Sequence, residues 1–131
     1  MRLLPRGFRT PRAQVRGLGA SRSGTTHFWH ERLTAVAGIP LTIAFVVIVV
    51  SLLGRNHAAT LQILGSPLIT ILMLLFIANS VYHMWLGMQV IIEDYVHHEL
   101  RKLGLLMANT FFCVGVGVAS TYALLKIGFG V

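Results

Sequence analysis

Hydrophobic and polar positions alternate along this chain in blocks much longer than a turn of helix. No charged residue falls between Arg32 and Arg55, between Arg55 and Glu93, or between Lys102 and Lys126. Each gap holds at least the roughly 20 apolar residues that carry a helix across a bilayer. The pattern predicts an all-α integral membrane protein with three transmembrane helices, over about residues 33–53, 68–92 and 103–125.

Punctuation refines the spans. Gly38 and Pro40 near the start of the first predict a bend or a late helix start. Residues 54–65 read as a short polar connection, and Ser66-Pro67 opens the second span as cap and first helical residue. That span of 25 residues is about 37 Å long, more than a hydrocarbon core needs, so it should tilt or protrude. Residues 93–102 form a polar turn carrying both signs of charge. In the third span, Gly115 and Ala119 fit a small-xxx-small packing face.

Composition agrees: of 131 residues, 55% are hydrophobic and 11% charged, too few charges for a soluble surface. Cys113 is the single cysteine and excludes an intrachain disulfide. Three helices can bury a seam but hardly enclose a large ligand, so partner subunits are expected. Residues 1–31 form a basic arm with arginines at 2, 6, 9, 12, 16 and 22 and no acid before Glu31. An organelle-targeting segment has this composition. Its glycines and prolines disfavour the amphipathic helix that targeting needs, so a retained arm facing anionic lipid or an acidic partner is the preferred reading. The arm and the 93–102 turn carry more basic residues than the opposite ends, which puts the N-terminus in the cytoplasm and the C-terminus outside. In that topology Arg32, Asp94 and Tyr95 meet at one membrane face.

Only one histidine falls deep within a span. His83 stands ten residues before Glu93, about 15 Å inside the boundary and near the midplane. An ionisable group at that depth is expensive and needs a partner or a ligand. Either it is a neutral imidazole bonded to a neighbouring helix, or it is an axial ligand of a b-type haem. Gly87, one turn on, would let a flat macrocycle approach the backbone. His27, His30, His57, His97 and His98 lie at or beyond the boundaries, so a second haem histidine would come from another chain. Asp94 follows His83 by eleven residues, roughly three turns on the same face. Aspartate and tyrosine are common at helix ends; Tyr95 could also donate to a quinone carbonyl while Asp94 orients an arginine or relays protons. Arg32 is either an interfacial snorkelling residue or a partner for Asp94 or a haem propionate.

These residues also carry a resemblance. His83-Met84-Trp85-Leu86-Gly87-Met88, followed by Asp94-Tyr95-Val96, resembles the H-x-W-x-G-M…D-Y-V pattern of the smaller membrane-anchor subunits of succinate dehydrogenase, respiratory complex II. Residues 16–37, RGLGASRSGTTHFWHERLTAVA, look like the arm and first-helix entry of the α-proteobacterial type. The resemblance implies a subunit that links the tricarboxylic acid cycle to the respiratory chain without being catalytic by itself. It implies one haem b shared with a second membrane-anchor (cytochrome b) subunit, with His83 ligating the iron and Arg32 near a propionate. It implies ubiquinone bound by Tyr95 and Asp94, an iron–sulfur subunit and a flavoprotein subunit as further partners, and no nucleic acid. The expected location is the bacterial inner membrane, or alternatively the mitochondrial one. Flavin and iron–sulfur chemistry require nucleotide-binding loops and cysteine clusters, which this sequence does not contain. The anchor of a fumarate reductase or another quinone-linked enzyme is a close alternative; a structural scaffold without redox function is the distant one.

Overall fold

The computed structural model describes residues 24–131, and most of the basic arm, with all six of its arginines from Arg2 to Arg22, lies outside them. Among the described residues there are four helices and no strand: α1 (Gly24–Leu52), α2 (His57–Leu64), α3 (Pro67–Tyr95) and α4 (Glu99–Phe129). The three long ones, of 29, 29 and 31 residues, are those the charge gaps predict. At helical rise they run about 43–46 Å, so each outlasts a hydrocarbon core of about 30 Å. The all-α, three-span reading holds.

Two boundaries differ from expectation. The first helix does not start late: it runs from Gly24 with Pro40 inside it. A proline removes one backbone bond, and lipid offers no competing partner that would favour unwinding the rest. Residues Gly24–Glu31, assigned to the arm by composition, are therefore the first turns of α1. The polar connection contains the short helix α2, whose start is capped by Asn56 accepting from the Ala59 N–H at 2.9 Å. Gly54, at φ 73°, takes the left-handed conformation that lets the chain turn out of α1. Pro67 stands in the first turn of α3, as its missing N–H allows, although Ser66 makes no side-chain cap.

Helix α3 is the centre of the arrangement. α1 packs along one side of it and α4 along the other, with almost no contact between α1 and α4. The core is correspondingly thin. Leu86, at 2% exposure, is its most enclosed large side chain, joined by Ile48, Ile92, Cys113 and Leu124. Phe45 and Phe76 stack across the α1–α3 seam with centroids 4.3 Å apart. Where α4 crosses α3, Gly117 faces Val81 and Gly128 faces Thr70. The expected Gly115 and Ala119 packing pair is not the contact: nothing lies within 4 Å of where a Gly115 side chain would begin, and Ala119 is exposed. Small residues line the seam, but in a different rotation of the helix.

Candidate functional site: a polar seam around His83

Among the described residues three buried ones are polar, namely Thr34, Thr70 and Asn109, and each sits where two elements meet. Thr70 donates to the Leu64 carbonyl at 2.7 Å, tying α3 to the end of α2. The other two belong to the seams on either side of His83. Every buried side-chain nitrogen or oxygen among the described residues has a partner, as expected where no water competes.

On the α1 side, Thr34 Oγ1 lies 2.8 Å from His83 Nδ1 and also donates back to its own helix, 2.8 Å from the His30 carbonyl and 3.0 Å from that of Glu31. Asn79, one turn before His83, donates from Nδ2 to the Thr34 carbonyl at 3.0 Å. Gly38 makes room for it: a Cβ there would stand 3.3 Å from that same nitrogen. Further along, the Tyr82 hydroxyl and His30 Nδ1 are 2.6 Å apart. Consecutive residues of α3, Tyr82 and His83, thus reach the positions His30 and Thr34 one turn apart on α1.

On the α4 side, Trp85 Nε1 donates to Thr110 Oγ1 at 3.1 Å, and Asn109 Nδ2 donates to the Trp85 carbonyl at 3.2 Å. Tyr82 stacks on Trp85, centroids 5.8 Å apart. Trp85 thus pins α4 to α3 two residues from His83.

This register fixes the levels of the predicted site residues. Residue 34 of α1 lies beside residues 79–83 of α3, so His83 shares its level with the polar entry of α1 around Glu31 and Arg32. Measured along α3 it is deep; measured on α1 it is close to charge. Arg32 is exposed, and its guanidinium stands 5.0 Å above the Phe28 ring. Asp94 and Tyr95 end α3 about 16 Å beyond His83 along the axis, both exposed, Tyr95 at 79%. Arg32 therefore belongs to the level of His83, and the expected meeting of Arg32 with Asp94 and Tyr95 is not made. The charge pattern assigns a membrane side but not a register between helices, and α1 continues well past its apolar stretch.

A groove of about 620 Å³ opens between α1 and α3, lined by Thr34, Gly38, Thr42, Asn79, Ser80 and His83 among others. His83 is its only imidazole. At Gly87 no atom lies within 4 Å of a would-be Cβ, so the backbone one turn beyond the imidazole is open. Among the described residues no three of His, Cys, Asp and Glu cluster so as to hold a metal ion.

Fold and site together define a class: a multi-pass helical membrane protein whose central helix is tied to both neighbours by polar side chains on either side of His83. The chain belongs to the succinate dehydrogenase/fumarate reductase transmembrane subunit family, whose model matches residues 7–121. It is 31% identical over 121 residues to the succinate dehydrogenase hydrophobic membrane anchor subunit of Paracoccus denitrificans, covering 92% of this chain and 93% of that one. The subunit of the same name from Rickettsia conorii is 31% identical over 126 residues, covering 92% and 97%. A succinate dehydrogenase membrane anchor subunit of Reclinomonas americana is 28% identical over 86 residues, covering 63% and 72%. No solved structure gives a significant match.

Proposed function

We propose that this chain is the hydrophobic membrane anchor of a succinate:ubiquinone oxidoreductase, that His83 is one axial ligand of a haem b, and that Tyr95 and Asp94 form part of the ubiquinone site. The observation that carries the haem assignment is the placement of His83 as the only imidazole in the α1–α3 groove, held at Nδ1 by Thr34 and open beside Gly87. A flat, largely apolar group with two acidic arms suits such a groove, and one histidine leaves the second axial position to the partner cytochrome b subunit. The bound haem would supply a one-electron redox centre.

This chain's own residues do the positioning. His83 presents a nitrogen lone pair at a fixed height. Arg32, at the same level and stacked over the Phe28 ring, would provide the cation for a propionate. At the other end of α3, the Tyr95 hydroxyl would donate to a quinone oxygen, and the Asp94 carboxylate would tune the local charge and accept or pass a proton. Their exposure fits a pocket completed by the iron–sulfur subunit, with the flavoprotein beyond it and the arm, on the cytoplasmic side of the inner membrane, beneath both.

The test is His83→Ala in the assembled complex. The reduced-minus-oxidised spectrum should lose or reshape its haem bands. A spectrum identical to that of the unaltered complex would remove His83 as a ligand.

A further inference from the structure

Thr34 is buried and reaches three polar atoms at once. Its Oγ1 is 2.8 Å from the His30 carbonyl, 3.0 Å from the Glu31 carbonyl and 2.8 Å from His83 Nδ1. A threonine hydroxyl carries one proton, and a carbonyl oxygen can only accept. Sent between the two carbonyls, that proton satisfies both short O···O contacts, and the hydroxyl's lone pair faces the imidazole. Sent to the imidazole instead, it would leave oxygen against oxygen at 2.8 and 3.0 Å with no hydrogen between them. The first arrangement prevails, and it requires a proton on His83 Nδ1.

We infer that Thr34 is a positioning residue that locks His83 as its Nδ1–H tautomer, leaving the ring's lone pair on Nε2 as the atom available to a metal. A neutral imidazole has one N–H and one lone pair, and the bond made by one nitrogen decides which is which. The lock is itself braced. Asn79 holds the Thr34 carbonyl at 3.0 Å, and Gly38 leaves the space through which it reaches. Threonine, asparagine and histidine thus come from two helices to define one proton position. As a statement about iron the inference rests on the haem reading; as a statement about the tautomer it does not.

The experiment uses the full chain in lipid with ¹⁵N-labelled histidine, and in parallel the assembled complex. The His83 ring signals are identified by their loss in His83→Ala. Unaltered chain should show the Nδ1–H tautomer at His83. Thr34→Val, which keeps the shape and deletes the hydroxyl, should lose that signature, and Thr34→Ser should restore it. In the complex, Thr34→Val should weaken haem retention by about tenfold or more, the usual effect of deleting a group that orients a metal-bound histidine, while Thr34→Ser retains haem. An Nδ1–H signature that persists in Thr34→Val, or an Nε2–H tautomer in the unaltered chain, overturns the inference. If instead the tautomer responds as stated while His83→Ala leaves the haem spectrum intact, the ligand assignment fails and the Thr34 lock stands.

Discussion

A polar side chain within an apolar helix is judged by what its polar atoms touch. His83 keeps Nδ1 on Thr34, so the cost of placing an imidazole among hydrocarbon, where an unmade hydrogen bond is worth about 1–3 kcal/mol, is met at one nitrogen only. Tyr95 is the opposite case, with a phenol held out at the last turn of α3 and 79% exposed. Because it contributes so little to packing, Tyr95→Phe should leave assembly and thermal stability within about 0.5 kcal/mol of the original. Quinone reduction by the complex should fall, with electron transfer to a water-soluble artificial acceptor at the soluble subunits unchanged; equal loss in both assays would remove Tyr95 from the quinone site. His83, Asp94 and Tyr95 stand out in the sequence because a lone histidine in an apolar run and an acid at its end are one-dimensional signals. Thr34 and Asn79 do not. Threonine and asparagine are common in membrane helices, and only the register between α1 and α3 shows that Thr34 meets the imidazole and that Asn79 holds the Thr34 backbone.

At the scale of elements, the long helices follow from charge gaps. Gly130, at φ 68°, closes α4 with its N–H on the Ile127 and Lys126 carbonyls. Helix α2 escapes such a reading: its eight residues are too few for a periodic apolar stripe, and Asn56 and Gly65 were its only signals. Helix rotation escapes as well, and the glycines of α4 show why. Several small residues are compatible with a packing face, and the partner helix decides which are used. A methyl group at Gly128 would meet Thr70 Cγ2 at 3.1 Å, and Thr70 is buried with its hydroxyl committed to Leu64. At Gly117 it would meet Val81 at an ordinary 3.4 Å, and at Gly115 nothing. Gly128→Ala should therefore destabilise the α3–α4 pair by about 1–3 kcal/mol. Gly115→Ala and Gly117→Ala should be neutral or slightly stabilising through helix propensity. Unfolding in mixed detergent micelles measures all three; equal midpoints for Gly115→Ala and Gly128→Ala would contradict the observed seam.

For the molecule as a whole, orientation is the open variable. Arg101 and Lys102 begin α4 on the same side as the start of α1, and Arg55 and Lys126 mark the other side. Single cysteines introduced at His97 and at Arg55, with Cys113 replaced by alanine, should react with an impermeant thiol reagent from opposite sides. In right-side-out vesicles the position-55 variant should be labelled and the position-97 variant protected. The reverse result would invert the topology and place Asp94 and Tyr95 away from the cytoplasm.

Because its long helices stand in a row rather than a ring, with α3 alone touching both neighbours, the subunit has only one rod through which its two flanks can sense each other. Trp85 and His83 are two positions apart on that rod, one fastened to α4 and the other to α1. Any rolling of α3 about its long axis would swing both anchor points together. Tension at the outer flank, from lipid or a neighbouring polypeptide, would thereby be delivered to the imidazole as a change of angle.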